Sequence, residues 1–158
     1  MSVQHVREYL TQFGAQDRVI ELQESSATVA LAAQALGTQT GQIAKTLSFM
    51  VGEQPTLIVV EGDARIDNGK FKRHFGVKAK MMSAEELDRY TGLQFGGVCP
   101  FGIPENVEIW LDESLKAYDS VYPACGSGNS AIRVTLEELE RFSRAKGWID
   151  VAKLPEAQ

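Results

Sequence analysis

The sequence predicts a mixed α/β fold with a curved sheet, and three observations carry that reading. QIAKTLSFMV, residues 42–51, alternates at period two, and TLIVVEG, 56–62, is a near-continuous apolar run. Two capping boxes, Ser83 with Glu86 and Thr135 with Glu138, start helices elsewhere in the chain. Strands and helices intermix without a strict βαβ rhythm, and several consecutive strands lie close enough in sequence to pair antiparallel. With 158 residues and 44% hydrophobic composition the chain can bury a sizeable core, so residues 1–158 are read as one domain.

Taken in order, SVQHVREYLTQFG places Val3, Val6, Leu10 and Phe13 at helical spacing behind a Ser2 cap, with Gly14 as the stop. VIEL (19–22) reads as a short strand. TVALAAQALG (28–37) is Ala-rich between a Thr28 cap and a Gly37 terminator, which gives a second helix. In the strand 42–51, Ile43, Leu47, Phe49 and Val51 share one face, and Lys45 falls in phase with them. A lysine there either meets something anionic in a pocket, because burying an unpaired ammonium is expensive, or packs its stem on apolar neighbours and extends its amine outward.

TLIVVEG follows Pro55 and reads as a central strand buried on both faces. DARIDNGKFKRHFG (63–76) has Asp67 as a cap, Phe71 and Phe75 at i,i+4 and Gly76 as a stop, so a helix is preferred to a hairpin turn at Asn68-Gly69. VKAKMM (77–82) reads as a strand and SAEELDRYTG (83–92) as a short helix. VEIWLD (107–112), SVYPA (120–124) and SAIRVT (130–135) read as strands, and TLEELERFSRAKG (135–147) as a helix stopping at Gly147. The tail, KLPEAQ (153–158), is expected to fray.

Composition narrows the function classes. No run approaches ~18 apolar residues and the N-terminal stretch is charged, so no membrane partner is expected and the location is read as cytoplasmic. Cys99 and Cys125 form no CxxC, and His5 and His74 sit on separate helices outside any metal-ligand spacing, so neither a metal nor another cofactor is expected. The net charge of −5 argues against non-specific coating of nucleic acid, and no DNA partner is expected. Against that background KFKRHFGVKAK, from Lys70 to Lys80, holds five Lys/Arg and no acid, which is either a solvated helix face or a phosphate-contacting patch. GxSxG, GxxxxGK[ST] and a strand-linked GxGxxG are all missing.

Three features remain: Lys45, the stiff loop GGVCPFG (96–102) and a second Gly-rich bend, ACGSGN (124–129). The loop alone is compatible with a surface turn, a thiol site around Cys99 or a backbone cradle. Together the three suit a site that stabilises a developing oxyanion through backbone N–H groups and one ammonium.

In order and spacing, TVALAAQALGTQTGQIAKTLSF, LIVVEGDARIDNGKFKRHFG, GGVCPFG and YPACGSGNSAIRVTLEEL resemble the YbaK/EbsC family of aminoacyl-tRNA editing deacylases, over roughly residues 28–140. The resemblance implies a curved, barrel-like mixed β-sheet flanked by helices, and trans-acting hydrolysis of the ester joining a wrong amino acid to the 3′ end of a tRNA. The family's lysine matches Lys45, and its GxxxP loop matches Gly96 to Pro100. By that match Lys45 and Gly97 are the expected catalytic positions, while Gly96, Cys99, Pro100, Phe101, Gly102, Cys125, Gly126, Ser127 and Asn129 are the expected substrate-binding ones. Lys70, Lys72 and Arg73 are expected to hold the tRNA, a small wrong amino acid on a tRNA-Pro or related tRNA is the expected substrate, and a synthetase is a further expected partner. The chain departs from the pattern in the later bend, where Ala131 stands in place of an Asp found in relatives. That departure motivates an alternative, a non-catalytic tRNA-binding or synthetase-associated module of the same fold.

Overall fold

The structure, a computed structural model, describes residues 2–155. Its first half runs α1 (Val3–Leu10), β1 (Ile20–Glu21), α2 (Val29–Leu36), β2 (Ile43–Val51), β3 (Gln54–Glu61), β4 (Arg65–Ile66) and α3 (Asn68–Phe75). Its second half runs α4 (Ala84–Thr91), β5 (Glu108–Asp112), β6 (Ser120–Pro123), β7 (Ser130–Ala131), β8 (Val134–Thr135), α5 (Leu136–Ser143), β9 (Trp148–Ile149) and β10 (Ala152–Lys153). The main sheet has the order β8-β6-β2-β3-β5-β9 and curls into a half-barrel. Its β2–β3 and β6–β8 pairs are antiparallel, and β2–β6, β3–β5 and β5–β9 are parallel. The mixed α/β reading and the central place of 56–62 therefore hold.

The local chemistry explains where elements begin and end. Ser2, Thr28, Asp67, Ser83 and Thr135 each accept a backbone N–H in the first turn of the helix they precede, and both capping boxes form. Within 63–76, Asn68–Phe75 make the helix rather than a hairpin turn at Asn68-Gly69, with the Asp67 carboxylate accepting the Lys70 N–H at 3.0 Å, while Arg65–Ile66 form a short strand the sequence reading did not place. A two-residue turn at Gly52-Glu53 fixes the β2–β3 register, pairing Val51 with Gln54 and Lys45 with Val60.

Both faces of the sheet are covered. On one side Val6, Leu10, Leu87, Phe101, Leu139 and Phe142 build the main core against Ala44, Met50 and Val59. On the other side Phe71 of α3 packs on Phe49, with ring centroids 5.1 Å apart, among Ile58, Val60 and Val151. A third cluster joins Ala32 and Ala33 of α2 to Ile43.

Several boundaries differ from the sequence reading. Residues 77–82 are not a regular strand: one bridge, Phe49 to Met81, and the hydrogen bonds Met50 N to Lys80 O (2.9 Å) and Met82 N to Ser48 O (3.0 Å) attach them to β2. The stretch 130–135 is two short strands, because Ser130–Ala131 pairs with β1 while Val134–Thr135 pairs with β6. The last helix stops at Ser143, with Arg144 in the left-handed region at φ 56°, rather than at Gly147. Gly147 instead leads into β9, its carbonyl accepting from Leu111 N of β5 at 3.0 Å. In the tail, Lys153 pairs with Arg65, and residues 156–158 lie outside the described residues.

Candidate active site

The site forms where strand pairing along one edge of β2 is interrupted. β6 pairs with Ile43 and Ala44, and residues 80–82 attach at Ser48 to Met50, so Lys45 to Leu47 between them have a strand neighbour only on the β3 side. Helix cover breaks at the same place, since α2 packs on Ile43 and α3 on the Leu47–Phe49 end. Lys45 lies in the gap. It is half-buried on the wall of a cleft of about 150 Å³, and it makes no hydrogen bond or ion pair among the described residues.

Burial pushes the Lys45 amine below the usual lysine range, and the carboxylates of Glu61 and Asp63 partly oppose that shift. Glu61 is itself buried, which pushes its carboxyl up, while the Asp63 N–H donates to it and steadies its charged form. Two acids thus favour an ammonium at Lys45 without capping it.

Several of the remaining walls are short. Ala27 and Val29 at the start of α2, Ala32 within it, and Ala124 and Ala131 across the cleft leave space open, and the buried hydroxyls of Ser26 and Thr46 have no hydrogen-bond partner among the described residues. No His, Cys, Asp or Glu is among the described residues lining the cleft. The fourth side is a tight turn, Gln94-Phe95-Gly96-Gly97, closed by Gly97 N to Gln94 O at 3.1 Å. Gly96 takes φ 92° at its third position, which a type II turn requires of a glycine.

The structure divides the residues expected from the sequence. Lys45 and Gly96 line the cleft. Gly97 is buried behind it, flat against Ser127, where a Cβ would lie 2.9 Å from that residue's backbone N, Cα and C. Cys99, Pro100, Phe101 and Cys125 are buried, and Gly102 accepts a hydrogen bond from His5 Nε2 at 3.0 Å, so this end of the loop faces the core and α1. Gly126 abuts Val6 and Ser2. Ser127 Oγ lies 2.9 Å from Asn129 Oδ1 and 2.8 Å from Ser130 Oγ, and Asn129 Nδ2 donates to Leu22 O at 3.1 Å, which braces the bend from outside. Burial pushes the Cys99 thiol up to about 12 and the Cys125 thiol also upward, so both stay protonated at neutral pH.

Of the basic residues, Lys70 is held by Asp150 Oδ1 and Ala152 O, each at 3.0 Å. Lys72 and Arg73 are exposed on α3, the helix that covers the Lys45 face of the sheet. Sequence reasoning missed the walls contributed by Ser26 to Val29, Ala32, Leu36, Thr46, Phe95, Val98 and Tyr122. The Ala-rich composition of α2 was the available signal.

Residues 23–142 match the aminoacyl-tRNA editing domain, which spans the cleft, the turn and the bend. The chain belongs to the aminoacyl-tRNA editing domain family. Among the similar proteins, the uncharacterized protein YwhH of Bacillus subtilis is 50% identical over 97% of this chain and 98% of its own. The proline–tRNA ligase of Lactiplantibacillus plantarum is 26% identical over 74% of this chain, which covers 20% of that ligase. A crystal structure described provisionally as a trans-editing enzyme for prolyl tRNA synthetase superposes with a TM-score of 0.86 at 33% identity, covering 97% of this chain and 99% of that one. The curled sheet is thus the YbaK-like fold.

Proposed function

We propose that this chain is a trans-acting deacylase that hydrolyses the ester of a mischarged aminoacyl-tRNA. The observation that carries the reading is Lys45, half-buried and without an ion pair among the described residues, on the wall of a cleft that alanines and a glycine turn help to leave open. An ester carbonyl beside Lys45 would develop negative charge on its oxygen as water adds, and an ammonium already in place stabilises that charge without reorganising. No His, Asp or Glu is among the described residues lining the cleft to serve as a general base, so in this reading the attacking water is oriented by the 2′-hydroxyl of the substrate's own terminal ribose. Water adds to the carbonyl carbon, the bond to the ribose 3′-oxygen breaks, and that oxygen takes the proton the water gave up. A free amino acid and an uncharged tRNA leave.

The alanine walls favour a small amino acid, and the hydroxyls of Ser26 and Thr46 accommodate a polar one. A second hydrolytic site is useful for such substrates, because a synthetase pocket separates close analogues by only ~1 to 3 kcal/mol. The likeness to proline–tRNA ligases supports tRNA-Pro or a related tRNA as the carrier. In this reading Lys72 and Arg73, exposed on α3, contact the acceptor stem. A panel of mischarged tRNAs offered to the purified protein tests the reading, and release of amino acid from at least one is expected. Ala124 and Ala131, which leave the cleft without a carboxylate, favour the second reading, a tRNA-binding module. Binding without turnover on every member would select it.

A further inference from the structure

Phe95 stands on the cleft rim and the residue is 55% exposed, although a phenyl ring gains most when buried. The turn that carries it is fixed by the Gly97 N to Gln94 O hydrogen bond and by Gly96 at φ 92°, so the ring is displayed on a braced corner. Phe95 also borders a second hollow, of about 290 Å³, whose other walls are Ala84, Leu87 and Gln94. The ring therefore stands between two spaces, an inner one holding Lys45 and an outer one holding a single side-chain amide.

The inner cleft, at about 150 Å³, is well below the ~300 Å³ at which ligand sites usually begin, so it has room for an aminoacyl group but not also for a nucleoside. Resting on the deacylase reading, the terminal ribose must then lie at the rim and its base outside it. We propose that the outer hollow is a nucleobase subsite, in which Phe95 stacks on the 3′-terminal adenine and the Gln94 amide pairs with its edge. Adenine offers an acceptor at N7 and a donor at N6, and a primary amide supplies the complement to both. Ala84 is the exposed apolar neighbour of the ring in this hollow, and Leu87 lies beneath it in the main core. Aromatic stacking is worth roughly 10- to 100-fold in affinity per base and is available on any rigid, exposed ring.

The test uses an aminoacyl minihelix ending in adenosine, one ending in purine riboside, which lacks the 6-amino group, and one with an abasic 3′ end. Phe95→Ala should raise KM for the adenosine substrate about tenfold or more, Phe95→Trp should restore it, and the deficit should shrink to under about twofold on the abasic substrate. Gln94→Ala should erase the preference for adenosine over purine riboside. An unchanged KM in Phe95→Ala, or an equal loss on the abasic substrate, overturns the subsite. Titration of the uncharged trinucleotide CCA reads the subsite without hydrolysis: binding about tenfold weaker in Phe95→Ala is expected, and equal binding overturns the proposal. If no ester is cleaved while that difference persists, the deacylase reading falls and the subsite stands.

Discussion

Gly97 lies so close to Ser127 that a Cβ on the glycine would come within 2.9 Å of three backbone atoms of the serine. This contact joins the 96–102 loop to the 124–129 bend and holds the turn that forms one side of the cleft. Neither partner can yield by rotating a side chain, because the atoms in contact belong to the main chain.

Gly97→Ala should therefore lower both activity and melting temperature by displacing the two segments. Gly128→Ala is the control, since a Cβ there meets Ala27 Cβ at 3.5 Å and Gly96 O at 3.9 Å, both ordinary contacts. Thermal melts and single-turnover hydrolysis of the two variants, side by side, read the difference. Equal behaviour would mean that the packing of the two segments does not position the site.

The alkaline limb of the pH–rate profile should report Lys45. Burial lowers its pKa, so the active ammonium is lost as pH rises at a value below that of an ordinary lysine, ~10.4. Glu61 raises that pKa by its negative charge, so Glu61→Gln should move the limb to still lower pH. Rates corrected for uncatalysed ester hydrolysis measure it, and a limb moving upward would contradict the assignment.

The thiols should be inert. Cys99 and Cys125 are fully buried and protonated, so maleimide should label neither in the native protein, and Cys99→Ser should keep most of the hydrolysis. Loss of turnover in a folded Cys99→Ser variant would reopen the thiol reading.

Arg18 and Glu138 are 2.6 Å apart, and the guanidinium holds the Glu138 carboxyl down at about 2. A carboxylate with a depressed folded pKa contributes stability fully above its unfolded pKa, ~4.3, and loses it as pH falls through the folded value. The pair is partly exposed, so screening limits its worth to about 1 kcal/mol. Glu138→Gln should melt roughly 3 °C lower at pH 7, and the gap should close between about pH 4 and pH 2. A gap that persists at pH 2 would assign the loss to the helix cap instead.

On α3 the basic residues separate by partner. Neutralising Lys72 and Arg73 should weaken tRNA binding and flatten its salt dependence by about one unit for each phosphate contact removed. Lys70→Met should act mainly on stability, because its amine is tied to Asp150 and Ala152. An unchanged salt slope in the double variant would return α3 to a solvated surface.

How much of this was legible in the sequence follows from the range of each signal. Period-two alternation is local, so it placed Lys45 on the face of Ile43 and Phe49 correctly. That α2 covers one side of it and α3 the other depends on packing between segments far apart in the chain, which periodicity does not carry. The capping residues were readable because a cap acts within one turn. Arg144 was missed as a helix end because its left-handed backbone is imposed by the need to lay Trp148 and Ile149 beside β5. Phe95 left no trace, since one exposed aromatic has no pattern to detect.

Single-turnover hydrolysis of a mischarged tRNA by the wild type and by Lys45→Ala tests the central claim most directly. Removing one charge-stabilising donor should slow the chemical step roughly 10²-fold or more, about 3 kcal/mol in the transition state, with the fold intact by melting. A folded Lys45→Ala protein that cleaves the ester at the wild-type rate would contradict the account.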